Sequence, residues 1–187
     1  YVQNVARVCG GDLTIDAGST LTMQDGLNNH MTQPLTVNGS VNLAGTLTLS
    51  TQGGGDIKVG KDWLFTVGGT FTPNTRAVFF IGTTQQNITR SAAGTLSFDY
   101  VINDNSSVGG VQLSTGTDIY ISTVSGGNGL QLLDIGPFDL NGQTCTLGNG
   151  AWGSIQLTGG ARNIISSGGT GIFIINGSPI TTPVVFS

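Results

Sequence analysis

KDWLFTVGGTFTPNTRAVFFIGTTQQNITRSAAGTLSFDYVIND, residues 61–104, holds short runs rich in Thr, Phe, Val and Ile, broken by Gly68-Gly69, Pro73-Asn74-Thr75 and Ala92-Ala93-Gly94. Runs of that length, bounded by turn residues and lacking a 3.6-residue apolar period, read as strand, turn, strand, turn. Composition extends the reading to the whole chain. Only 9% of residues are charged and no Glu is present, so the Glu- and Lys-rich vocabulary of helix surfaces gives way to Thr, Ser, Gly and Asn. The 31 glycines do not fall at every third position, which excludes a collagen-type repeat and leaves them as turn and corner residues. The predicted fold class is all-β.

Outward from that stretch, the spacing of apolar triplets selects an architecture. Leu13–Ile15, Leu35–Val37 and Ile57–Val59 are each apolar-polar-apolar, and they recur at equal intervals of about 22 residues. Such regularity marks a solenoid, in which one repeat is one turn stacked on its predecessor. Further apolar strands begin near Val78, Ser97, Asp118, Phe138, Ser154 and Gly171, at closer intervals, so the later coils read as shorter. The prediction is one section over residues 1–187: a right-handed parallel β-helix or closely related β-solenoid with coils of about 20–22 residues. An antiparallel β-sandwich or roll is the alternative, because Asn-Gly at Asn38, Asn128, Asn141, Asn149 and Asn176 serves hairpins as well as solenoid corners. Within a unit the period is two, with Leu43, Leu47 and Leu49 facing inward and Asn42, Thr46 and Thr48 facing water.

Cys9 and Cys145 lie about six such coils apart, near 30 Å at ~4.8 Å per coil, whereas a disulfide needs Cα atoms within about 7 Å. They are predicted not to pair with each other. Cys145 takes an apolar slot of an alternating strand and reads as a core thiol, while Cys9, beside Gly10-Gly11, is open to a partner outside the segment. A net charge of −4 with scattered Arg and Lys argues against nucleic acid or an anionic membrane as partner. No apolar run is long enough to span a bilayer as a helix. The start at Tyr1 reads as a mature form or, preferably, a piece of a longer extracellular chain.

Asp62-Trp63, then Gly69-Thr-Phe-Thr-Pro73, an apolar run from Ala77 to Gly82, Gln85-Gln86-Asn87-Ile88-Thr89 and Leu96-Ser-Phe98-Asp-Tyr100 follow one another in a distinctive order. That order resembles the repeat unit of large secreted, surface-attached, adhesin-like β-solenoid proteins of the Bacteroidetes group. LTIDAGSTLTM from Leu13 and FDLNGQTCTL from Phe138 look like its flanking words. The resemblance implies a stretch of a large exported protein, delivered to the cell surface or medium by type IX secretion. Arg76 departs from the pattern, standing where the family usually has Gly in its Pro-x-Thr-Gly turn.

Candidate chemistry is sparse. His30, the only histidine, has no Cys or Glu cluster from which to build a zinc site and reads as a solvated loop residue. No Gly-x-Ser-x-Gly turn marks a nucleophile. Asp99, Asp118 and Asp139 follow one another at steps close to one expected coil. Were each step one coil, they would stack at roughly 5 Å on one face, where carboxylates can act as acid and nucleophile on a glycoside or ligate Ca²⁺. The plainer expectation is three outward-facing solubilising carboxylates, with no metal and no cofactor. Trp63, Trp152, Tyr100 and Tyr120 are the ligand-binding candidates, as aromatic faces for sugar rings, with Tyr100 and Tyr120 spaced to stack in adjacent coils. Thr20/Thr22, Thr46/Thr48, Thr70/Thr72 and Thr144/Thr146 are Thr-x-Thr pairs of the kind some ice-binding solenoids use. Their unequal spacings do not match the expected coil, and strand propensity accounts for them.

The expected function is non-catalytic: a stiff spacer or adhesion shaft, extracellular, whose partners are other domains of the same large protein and surface glycans or other cells. The alternatives are a glycan-binding module and a polysaccharide-active β-helix enzyme that uses Asp99, Asp118 and Asp139.

Overall fold

Apolar residues that alternate with polar ones over three to five positions can bury one side only as strands. The computed structural model, which describes residues 5–25, 29–123, 128–148, 154–158, 163–177 and 180–186, contains strands and turns with no helix among them. The first coil is β1 (Arg7–Cys9), β2 (Leu13–Ile15) and β3 (Thr20–Thr22). The second is β4 (Leu35–Val37), β5 (Val41–Leu43) and β6 (Thr46–Thr48); the third is β7 (Ile57–Val59), β8 (Trp63–Phe65) and β9 (Thr70–Thr72). The fourth is β10 (Ala77–Phe80), β11 (Gln86–Arg90) and β12 (Gly94–Phe98); the fifth is β13 (Tyr100–Asn103), β14 (Val111–Leu113) and β15 (Thr117–Ile121). The sixth is β16 (Leu130–Leu132), β17 (Phe138–Asp139) and β18 (Thr144–Leu147). The chain then continues through β19 (Ile155–Leu157), β20 (Ile164–Ile165) and β21 (Gly171–Gly177), and turns back antiparallel as β22 (Ile180–Phe186).

Each strand pairs in parallel with its counterpart one coil on. The first strands of the coils form one seven-stranded sheet, β1-β4-β7-β10-β13-β16-β19, and the second strands form another, β2-β5-β8-β11-β14-β17-β20. The third face is divided into β3-β6-β9 and β12-β15-β18-β21-β22. The protein is a parallel β-solenoid, as the sequence predicts, and its coils have three faces. The rival sandwich or roll is excluded, since the only antiparallel ladder among the described residues is β21 with β22.

Coil length departs from expectation. Ile57 pairs with Val78, but Val101 reaches further along the chain to pair with Leu130, so the later coils are not the shorter ones. The three triplets that suggest the solenoid are not equivalent either. Leu13–Ile15 pairs with Val41–Leu43, whereas Leu35–Val37 pairs with Ile57–Val59. The first of the two equal intervals therefore crosses from one face to another, and only the second is a true coil. All three faces use apolar-polar-apolar triplets, so spacing alone does not say which face a triplet belongs to.

The interior is filled as the alternation requires. Leu43, Leu47 and Leu49 are fully buried, as are Cys145 and the stacked Val37, Val59 and Phe80. Each fully buried aliphatic side chain stabilises the fold by about 1.5–3 kcal/mol. Corners bring backbones into contact. A Cβ built on Gly39 would overlap Asp12 Oδ1 and lie 2.6 Å from Asp12 N, so only glycine lets the second coil's corner sit on the first. At Asn141-Gly142 both residues are left-handed, with φ of 49° and 76°, as an Asn-Gly corner allows.

Candidate functional site

The carboxylates come first because an enzyme would need them to converge. Asp99 lies between β12 and β13, at the corner from the third face to the first. Asp118 lies on β15, aligned with Thr95 of the coil before. Asp139 lies on β17 of the second sheet, aligned with Gln112 and Ile165. The ladder that one-coil steps would give is thus not formed: the intervals between the three fall short of these coils, so each step lands on a different face; nor is Asp139, which is buried, the outward-facing solubiliser expected of it.

What these carboxylates do instead is brace coils. Asp99 Oδ2 accepts from the Thr75 N–H at 2.7 Å in the preceding coil and Oδ1 from the Ser122 hydroxyl at 2.6 Å in the following one. Asp118 Oδ1 accepts from the Thr144 N–H at 2.7 Å and Asp139 Oδ1 from the Ser167 N–H at 2.9 Å. Burial pushes the Asp139 carboxyl up, but the hydroxyl and N–H of Ser167, the Gln112 amide and the Asn141 N–H outweigh it and hold it below its ordinary value. Asp12, Asp56 and Asp62 repeat the pattern with the N–H groups of Ser40, Ala77 and Asn87. Among the described residues, no three His, Cys or Asp side chains gather as a metal-ligating group.

The aromatic candidates separate as well. Trp63, expected to offer its face to a ligand, is fully buried on β8 because it sits on the inward parity of its strand. Tyr100 and Tyr120, both half-buried, occupy different sheets: Tyr100 aligns with Ala77 on the first, Tyr120 with Ser97 on the third. They do not form the predicted stack, since their spacing is less than one coil. Trp152 lies outside the described residues. His30 is half-buried, its Nδ1 3.2 Å from both Gln24 Oε1 and Thr51 Oγ1. Cys9 and Cys145 are both free, and burial pushes the Cys145 thiol well above its ordinary range.

The Thr-x-Thr pairs, by contrast, are better ordered than their spacing suggests. Thr20, Thr46 and Thr70 are direct register partners, as are Thr22, Thr48 and Thr72, so each interval among the first three pairs is one coil. Thr144 lies one coil on from Asp118 in the other part of the third face.

The division of that third face creates a cleft the sequence does not announce. Trp63, Phe71 and Phe98 meet edge to face in the interior, with ring centroids 4.9, 5.7 and 5.8 Å apart. Phe71 takes the register position of Leu47 in the coil before and Phe98 that of Ile121 in the coil after, and these rings lie at the level where β9 and β12 do not pair. Thr70 donates its N–H to Gly45 O at 2.8 Å and Thr72 O accepts from Leu49 N at 2.9 Å, both toward the second coil. Phe71, between them, therefore directs its N–H and C=O at the fourth coil. Gly94 donates to Gly116 O at 3.0 Å and Phe98 O accepts from Ser122 N at 2.9 Å, so Thr95 and Ser97 direct theirs back at the third. Between the two edges lies a cleft of about 340 Å³, lined by Phe65, Phe71, Arg90, Thr95, Leu96 and Ser97 among others. Arg90 Nη1 donates to Ala92 O at 2.6 Å and Ala93 O at 2.8 Å, which fixes the guanidinium. Among the described residues Arg90 has no ion pair, and its Nε and Nη2 donors are unused. Inward parity at Trp63, Phe71 and Phe98 was the available signal; that three large rings would coincide at one level depends on the coil length.

Comparison with protein-family profiles, with curated proteins and with solved structures returns no match. The class of protein is therefore defined by the fold, a three-faced β-solenoid.

Proposed function

We propose that this chain is a non-catalytic structural section, a stiff spacer or adhesion shaft in a large cell-surface or secreted bacterial protein. The observation that carries the reading is the use made of carboxylates: Asp12, Asp56, Asp62, Asp99, Asp118 and Asp139 each accept a backbone N–H from an adjacent coil. A carboxylate held this way is an ion-assisted strut between coils. Continuous parallel ladders add to it, because bending or opening the stack breaks a row of hydrogen bonds together. Extracellular location, type IX export and partnership with other domains of a longer chain rest on the ordered words from Asp62 to Tyr100 and on their resemblance to adhesin repeats.

The test has a mechanical arm and a chemical one. Single-molecule pulling on the chain held between marker domains is expected to give one unfolding event at higher force than an antiparallel sandwich of equal length. Incubation with a panel of polysaccharides is expected to release no reducing ends. Release that Asp99→Asn or Asp139→Asn abolishes, in a variant that still folds, would overturn the reading.

A second reading is favoured by the register of the Thr columns. Thr20-Thr46-Thr70 and Thr22-Thr48-Thr72 present methyl and hydroxyl groups at about 4.8 Å along the stack and about 7 Å across it, a regular surface that can order water. Thermal hysteresis lost in Thr48→Tyr would support it, and its absence in the unaltered protein removes it.

A further inference from the structure

We propose that the cleft between β9 and β12 binds a carboxylated sugar residue, with its carboxylate on the Arg90 guanidinium and its ring against the accessible parts of Phe65 and Phe71. Three features carry this. Arg90 is a fixed cation without an acidic partner among the described residues: two backbone carbonyls hold Nη1, and the remaining donors are free for a carboxylate, which the guanidinium fork matches in geometry. The lining couples half-buried aromatic rings with the hydroxyls of Thr70, Thr95 and Ser97 and with strand-edge N–H and C=O groups, a mixture suited to a molecule with apolar ring faces and a rim of hydroxyls. The volume of about 340 Å³ is at the lower end of ligand sites and far exceeds the ~30 Å³ of a water, room for a sugar ring in place of a bare anion.

The cleft's ends argue against an extended peptide added as a strand. At one end Ser91 N donates to Phe65 O and Val67 N to Ser91 Oγ, each at 2.9 Å; at the other Thr75 N donates to Asp99 Oδ2 at 2.7 Å. These bonds tie the third coil to the fourth on both sides of the gap, so a chain cannot run through it. A compact residue, free or at the end of a glycan, enters from outside.

The experiment is a titration of the ¹⁵N-labelled full chain with three uronates (galacturonate, glucuronate and mannuronate), with galactose, and with acetate, followed by amide shifts. At least one uronate is expected to move the amides of Phe71, Thr95 and Ser97 and to bind at least about tenfold more tightly than galactose or acetate. Arg90→Gln is expected to reduce that affinity about tenfold or more. Thr95→Asp, which keeps Arg90 but adds a competing carboxylate at an exposed position, is expected to do the same while still folding, with a melting temperature lowered by a few degrees because the new carboxylate aligns with Asp118 one coil on. Thr95→Asp decides the matter if Arg90→Gln does not fold. Galactose binding as well as the uronate, acetate binding as well as the uronate, shifts confined to other faces, no shift with any uronate, or undiminished binding by Thr95→Asp each overturn the proposal.

Discussion

Asp139 is only 4% exposed on β17 and accepts four hydrogen bonds, from the N–H groups of Asn141 and Ser167, the Ser167 hydroxyl and the Gln112 amide. Its folded pKa is depressed below 3.8, so the stability it adds is fully present above the unfolded value and is lost as pH falls through the folded one. Asp139→Asn is expected to cost about 2 kcal/mol at pH 7, ~5 °C of melting temperature in a chain of this size. The gap from the unaltered protein should close as pH is lowered below about 4; melts between pH 7 and pH 2.5 check it, and a gap indifferent to pH would show that the charge is not what matters. Gln86 is a neutral counterpart. Its Nε2 donates to Val59 O and Lys61 O, and its Oε1 accepts from Gly82 N and Asn105 Nδ2. Gln86→Leu keeps the bulk but strips Gly82 N–H and Lys61 O of their partner, while Val59 O keeps Ile81 N–H and Asn105 Nδ2 keeps Thr84 O, for an expected loss of about 3 kcal/mol; the exposed Gln85→Leu should stay within about 0.5 kcal/mol in the same denaturant titration of both variants. Parity with the buried Ile88 makes the inward aim of Gln86 legible in the sequence. Its reason is not, because both carbonyls it donates to belong to the coil before.

Corners carry the fold at the scale of elements. Gly39→Ala drives a methyl into Asp12 Oδ1 and to 2.6 Å from Asp12 N, so the second corner must lift from the first and loosen the 2.7 Å bond from Ser40 N to Asp12 Oδ1. A loss above about 2 kcal/mol is expected in urea titrations. Gly10→Ala, where nothing lies within 4 Å of the added methyl, should change the midpoint little. The strands themselves were legible, since triplets such as Leu35–Val37 and Ile57–Val59 announce both their pleat and their repetition. Their assignment to faces was not. Leu13–Ile15 carries the same pattern as Leu35–Val37 yet pairs with Val41–Leu43, because the second coil shows that pattern on both its first and its second face. The same ambiguity undid the carboxylate ladder, since Asp99, Asp118 and Asp139 are placed on faces by loop lengths that no local pattern records. The cleft was hidden for a related reason: no local pattern records that β9 and β12, each a good strand, do not pair with each other.

For the molecule as a whole, stability in a stack of coils is approximately a sum over neighbouring interfaces, so removal of one complete coil should be milder than removal of half of one. Residues 35–56 make such a unit. They contain β4, β5 and β6 entire, and their removal sets Ile57 where Leu35 stood opposite Arg7, Trp63 where Val41 stood opposite Leu13, and Thr70 where Thr46 stood opposite Thr20. Every strand of the third coil then meets its counterpart in the first, and Gly60 follows Val59 into the corner as Asn38 follows Val37. The shortened chain is expected to keep the β-type circular dichroism spectrum and cooperative unfolding, with a lower urea midpoint and a slope reduced in rough proportion to the surface removed. Deleting residues 35–45 takes out half as many residues but leaves β6 to follow β3 directly, so two strands of one face compete for the place of another and the apolar stripe meets the wrong neighbours. That smaller deletion should abolish cooperative unfolding. If the whole-coil deletion proves the more damaging of the two, coils are not the units in which this chain is stabilised, and the stiffness argued for it would have to come from the molecule as one indivisible core.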